Sequence, residues 1–159
     1  MGFLSLEKAK RKFILGWDLL SRRSSSLLHP ADYPRVLLID KDNAFRNIIA
    51  RIARQGGVTL TSCEKLEELG DLRPYHFDVA IVDYELGDTT GIEVAKYLDL
   101  SLSGVPVILI GKTHRVAEPM NEWPLGICGF IHKSLGCHAI LEAAVAAYNS
   151  HPVAVASAH

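Results

Sequence analysis

Short, almost wholly apolar runs recur along the chain, each stopping at a polar or charged residue before a turn and a helix-like stretch. Asp78-Val79-Ala80-Ile81-Val82-Asp83 is the clearest: its interior shows no polar alternation, so both faces of such a strand need cover, and it ends in a carboxylate. Val36-Leu37-Leu38-Ile39 stops in the same way at Asp40, and Gly129-Phe130-Ile131-His132 stops at Lys133. Strands buried on both faces belong to parallel sheets with helices on either side. In an open sheet of that kind, groups at the carboxyl ends of neighbouring strands converge on one crevice.

The punctuation between the runs supports an alternating plan. Strands are expected over residues 36–39, 58–62, 78–82, 105–110 and 130–132. The first helix follows Asp42-Asn43, good N-cap residues, with Phe45, Ile48, Ile49, Ile52 and Ala53 on one stripe and Gly56-Gly57 closing it. A short helix is expected over 64–69, another over 92–98, and a final alanine-rich one over 137–148 with Ile140, Leu141, Ala144, Val145 and Tyr148 inward. Residues 112–125 should hold a helix too, but Pro119 and Pro124 would shorten or distort it. Right-handed crossovers leave few topologies. A flavodoxin-like (βα)5 doubly wound parallel α/β sheet, strand order 2-1-3-4-5, is expected, with Asp40 and Asp83 meeting at its switch point.

Before this unit, residues 1–20 read as an amphipathic helix, with Leu6, Phe13, Trp17 and Leu20 sharing a stripe from residue 3 onward. A linker is expected over 21–33, the main domain over 34–150 and a flexible tail over 151–159. Charge divides along the same line. Residues 1–30 carry six basic side chains (Lys8, Lys10, Arg11, Lys12, Arg22, Arg23) against two acidic ones (Glu7, Asp18), a net +4, which leaves −5 for the remainder.

No run reaches the ~18 apolar residues of a membrane span, and the start lacks a signal-peptide plan, so a cytoplasmic location is expected and membrane contact is not. The cysteines Cys63, Cys128 and Cys137 have no metal-like spacing and read as free thiols.

Three motifs in order carry a family resemblance. Leu38-Ile39-Asp40-Lys41-Asp42-Asn43 resembles the first acidic motif of bacterial response-regulator receiver domains, in an atypical, single-domain form. Asp83-Tyr84-Glu85-Leu86-Gly87-Asp88-Thr89-Thr90-Gly91 is similar to their phosphoacceptor motif, and Gly129-Phe130-Ile131-His132-Lys133-Ser134 to their lysine motif. The likeness covers roughly residues 34–150. It implies a non-enzymatic two-component phosphorelay protein in which Asp83 accepts phosphate from a histidine kinase or phosphotransfer protein. Magnesium would be held by Asp40, Asp83 and the Glu85 carbonyl, Lys133 would meet the incoming phosphoryl group, and output would pass to a downstream protein partner.

Several positions depart from the family pattern. Lys41 stands where a second metal-binding acid is usual, and Asp42, though acidic, would point elsewhere if it caps the helix. Gly111 stands where a Thr or Ser hydroxyl drives the switch, with Thr113 the nearest substitute. Phe130 occupies the position of an aromatic that reports switch state, a role no more favoured than that of a core ring. Lys41 is expected within a few ångströms of Asp40 and Asp83, where a pair about 4 Å apart gains roughly 4 kcal/mol before desolvation. Magnesium binding is therefore expected to be weak or absent.

Two readings follow: a receiver phosphorylated at Asp83, or a phosphorylation-independent pseudo-receiver serving as a constitutive interaction module, with Lys41 replacing the metal. A small hydrolase of the same architecture is disfavoured, because no glycine-rich loop follows the first strand and no Ser or Cys nucleophile sits at a strand end. For the basic arm the open roles are packing on its own domain, homodimer formation, binding to a partner groove and lying on an acidic membrane surface; a nucleic-acid role lacks a recognition motif.

Overall fold

The computed structural model describes residues 33–102, 104–113 and 120–150. The expected helix over 1–20, nearly all of the linker over 21–33 and the tail over 151–159 lie outside them. Five parallel strands, β1 (Arg35–Ile39), β2 (Thr59–Cys63), β3 (Val79–Asp83), β4 (Val107–Gly111) and β5 (Ile127–His132), form one sheet in the order β2-β1-β3-β4-β5. This is the flavodoxin-like arrangement expected from the strand patterns. Its α-helices are α1 (Asn43–Gln55), α2 (Gly91–Ser101) and α3 (Cys137–Ser150).

α1 and α2 begin where the sequence can satisfy unpaired N–H groups of a first turn. Asp42 caps α1, its Oδ1 accepting from the Phe45 amide at 3.0 Å. Thr90 caps α2 in a reciprocal box with Glu93. The α1 stripe buries Ile49, Ile52 and Ala53 but leaves Ile48 48% exposed, so the inward face is narrower than the periodicity suggested.

Two cores flank the sheet. On one side α1 and α3 pack over Val36, Leu38, Val79, Ile81, Ile108 and Ile110. The other side buries Leu37, Ile39, Ala80, Val82 and Leu109 beneath α2. The alternation of those two sets along β1, β3 and β4 is the period-two geometry of a strand. The second face is less fully roofed. Where a helix was expected over 64–69 there is only a single 3-10 turn, Leu66–Leu69, ended by Gly70 at φ 63°. Pro74 and the loop to β3 offer no helical period to extend it. Between β4 and β5 the described residues contain only the 3-10 turn Met120–Glu122, in keeping with the prolines of that stretch.

Candidate functional site

Register brings the charged strand ends together. Ile39 pairs with Val82 across β1 and β3, so Asp40 and Asp83, one residue on, stand side by side at the carboxyl edge. Asp83 is opposite Ile110 on β4, and Gly111, next along, is opposite His132 on β5, immediately before Lys133. Both carboxylates are buried, Asp40 at 0% and Asp83 at 4% exposure.

One ammonium serves both. Lys133 Nζ lies 2.6 Å from Asp40 Oδ2 and donates to Asp83 Oδ2 at 2.8 Å. The Asp40 contact is ionic rather than a well-angled hydrogen bond, leaving Oδ2 buried with charge attraction as its compensation. Distance sets that attraction, so the pair counts as formed despite its angle. The remaining oxygens face backbone: Asp42 N–H donates to Asp40 Oδ1 at 2.8 Å, and Glu85 N–H to Asp83 Oδ1 at 3.0 Å. Nζ also sits 4.7 Å from the centroid of the Phe45 ring, a cation–π contact that fixes the ammonium from the α1 side. The Arg46 guanidinium donates to the Asp40 carbonyl and, at 3.2 Å, to Asn43 Oδ1, tying the loop after β1 to α1.

Titration behaviour follows from burial. Desolvation raises the Asp40 pKa above its ordinary 3.8, opposed by Lys133 and the Asp42 amide and reinforced by repulsion from Asp83. Burial alone would lower the Lys133 pKa, but the hydrogen bonds and charges of Asp40 and Asp83 outweigh it and raise it above 10.5. Asp42 is shifted the other way: the Phe45 amide holds its carboxyl below the usual range.

The residues singled out from sequence separate into two groups. Asp40, Asp83 and Lys133 form the cluster. Lys41 does not join it: the side chain is exposed and makes no ion pair among the described residues. Asp42 is committed to its capping role and lies 4.0 Å from Lys112 Nζ. The Glu85 carboxylate faces outward, where the Thr113 hydroxyl donates to it at 3.4 Å. The sequence pattern places Phe45 on the α1 stripe, and nothing in it marks the ring as the seat of a lysine.

Two glycines shape the crevice. A Cβ on Gly91 would lie 2.5 Å from the Asp83 carbonyl oxygen and 3.0 Å from Tyr84 Cα, so only glycine lets α2 start against the end of β3. At Gly111 the obstacle is a ring: a Cβ there would stand 2.9 Å from Phe130 Cζ. Position 111 thus lacks a hydroxyl, and the space a side chain would take is filled by Phe130.

The donor set is poor for a divalent ion. Magnesium favours several oxygen ligands in near-octahedral order, whereas here two carboxylates share an ammonium and the adjoining position is Lys41. Among the described residues no group of three or more His, Cys, Asp or Glu side chains could hold a metal. No described helix is long and apolar enough to cross a membrane.

Comparison with known proteins bears on this geometry. The family model described as "Response regulator receiver domain" matches residues 36–145. A receiver domain protein (CheY-like) from Methanospirillum hungatei superposes with a TM-score of 0.67 at 19% identity, covering 76% of this chain and 97% of that one. A response regulator receiver protein from Burkholderia phymatum gives 0.61 at 22% identity, covering 76% and 99%. The chemotaxis protein CheY4 of Vibrio cholerae gives 0.62 at 18%, covering 70% and 95%. At these identities the structural likeness concerns the fold. No match is found among curated protein sequences.

Proposed function

Because the chain belongs to the response-regulator receiver family, we propose that it is a two-component signalling protein in which Asp83 is the phosphoacceptor, acting through contact with other proteins rather than by turning over a substrate. The observation that carries this reading is the buried Asp83 carboxylate held 2.8 Å from the Lys133 ammonium at the sheet's carboxyl edge. In the transfer an Asp83 carboxylate oxygen attacks the phosphorus of a phosphohistidine on a kinase or phosphotransfer protein. A P–O bond forms as the P–N bond breaks, the released nitrogen keeps that electron pair, and the imidazole leaves neutral with the proton that its other ring nitrogen already carried. Lys133, already at Asp83 Oδ2, neutralises the charge that gathers on the phosphoryl oxygens. Magnesium is weakly bound or dispensable in this scheme, because the ammonium occupies the position between the carboxylates that a cation would take.

Incubation with acetyl phosphate, read by intact mass, tests the proposal. Stoichiometric addition of one phosphoryl group, lost in Asp83→Asn, supports it; an unmodified chain after prolonged incubation, with and without magnesium, overturns it. Titrating magnesium while following amide shifts tests the metal clause, and saturation below a millimolar would sink it.

A second reading has its own observation. With Phe130 filling the space at Gly111, no side chain at that position can pull on a phosphoryl group. A pseudo-receiver presenting one fixed surface to a partner fits that packing. Failure of labelling together with a retained partner contact would favour it.

A further inference from the structure

Beside α2 lies a groove of about 570 Å³, opened where the single 3-10 turn Leu66–Leu69 stands in for a longer crossover helix. Its floor is apolar, made by the buried side chains of Leu86 and Val94 with Leu66, and the exposed ring of Tyr97 forms one wall. Its rim is acidic. Glu64, Glu67, Asp88 and Glu93 line it against one cation, Lys65, a net −3. Glu93 is held by Thr89 and Thr90 in the α2 cap, but Glu64, Glu67 and Asp88 are exposed and make no ion pair among the described residues. Three uncompensated carboxylates around an apolar floor are suited to a segment that is basic and apolar together.

We propose that the chain's own amino-terminal arm, residues 1–20, docks in this groove within the same molecule. Lys8, Lys10, Arg11 and Lys12 against Glu7 and Asp18 give the arm net +2, and it brings Leu6, Phe13, Trp17 and Leu20 for the floor. Reach is sufficient. Residue 33 sits at the amino edge of the sheet, where the Tyr33 ring lies 3.1 Å from the Cβ position of Gly57. The groove is at the carboxyl edge, a strand's length or ~17 Å away, and residues 21–32 extend to at most ~40 Å. The proposal does not depend on whether Asp83 is phosphorylated.

Carbodiimide cross-linking of the full chain tests it, using an equimolar mixture of unlabelled and nitrogen-15-labelled protein. Amide links from Lys8, Lys10 or Lys12 to Glu64, Glu67 or Asp88, within single-isotope species, are the expected products. Reversing Glu64→Lys with Glu67→Lys lowers their yield about tenfold, as the loss of two exposed ion pairs and the new repulsion imply. Adding Lys8→Glu with Lys12→Glu restores the linkage with donor and acceptor exchanged. The arm-side reversal alone lies outside the domain, so its loss of linkage is not a folding effect. Mixed-isotope links would place the arm on a second copy and overturn the proposal. So would links scattered over distant carboxylates, or a yield indifferent to both reversals, as for an arm suited instead to an anionic membrane.

Discussion

Replacing Lys133 by Met removes the charge between two buried carboxylates while keeping a stem to lie against Phe45. The size of the effect can be bounded from the site itself. Breaking a buried pair by removing one partner costs ~3–5 kcal/mol, because the partner is left charged in a poor solvent. Asp40 has an escape: it can take up a proton. Its ordinary pKa is 3.8, so protonating it at pH 7 costs about 4.4 kcal/mol at 1.36 kcal/mol per pH unit. That sets the ceiling, and about 3–4 kcal/mol is expected at pH 7.

The pH dependence separates charge from packing. Without Lys133 the Asp40 pKa rises further above its unfolded value, so the native state holds a proton that the unfolded state releases. Stability then falls as pH rises through the interval between the two values and the penalty vanishes below 3.8, where both states are protonated. At pH 4.5 the ceiling shrinks to about 1 kcal/mol by the same conversion. The wild-type lysine has the same sign of slope at a far higher pH: its raised pKa gives stability that is complete below 10.5 and lost as pH climbs past the folded value. Urea unfolding of wild type and Lys133→Met at pH 4.5 and 7.0 is the assay. Asp40→Asn added to Lys133→Met should recover more than half the loss at pH 7. A cost that is the same at both pH values, and that Asp40→Asn does not relieve, would show that the lysine acts through its stem and would refute the electrostatic account.

Three smaller perturbations check other contacts. Gly91→Ala places a methyl 2.5 Å from the Asp83 carbonyl oxygen; a loss of ~3 kcal/mol or more in urea unfolding is expected, since the obstacle is backbone and cannot swing aside. Gly111→Ala confronts the Phe130 ring at 2.9 Å; a cost of ~1–3 kcal/mol and a large amide shift at residue 130 are expected, both reduced when Phe130→Leu is added. Burial pushes the Cys63 thiol up to about 11, so iodoacetamide at pH 8 should modify exposed Cys128 at least ~10-fold faster than Cys63 in the folded chain.

What could be read in the sequence was what depends on the backbone period and on where each apolar run stops. Asp40, Asp83 and Lys133 follow their strands directly, and parallel register then leaves them little freedom but to meet. Lys41 shows the limit of counting positions. Successive residues leaving a strand project to opposite sides, so with Asp40 turned into the crevice its neighbour faces water, where a hydrated ammonium is comfortable. The neutralising charge came from ninety-odd residues away because a lysine at the end of β5 faces the same edge as the acids. Ile48 fails for a related reason: a stripe of i, i+3, i+4 residues is wider than the seam that α3 and the sheet can cover. The groove beside α2 was invisible altogether, because it arises from what the 64–78 segment does not form.

Gly111 carries the more general lesson. Taken alone, the substitution subtracts a hydroxyl, and the pocket should contain a gap. In the folded protein the gap does not exist, since the Phe130 ring occupies it and a methyl at position 111 would be refused. The charged cluster and the packing at Gly111 are therefore physically separable here. The cluster depends on Lys133 and two carboxylates, which need nothing from β4 beyond its place in the sheet. Position 111 depends on packing between β4 and β5, where the Phe130 ring already stands. A phosphoryl group added at Asp83 would meet a site able to neutralise it but a neighbouring strand with no side chain free to follow it. The loop after β3 touches both features instead: its Glu85 amide holds Asp83 Oδ1 and its Asp88 borders the acidic groove.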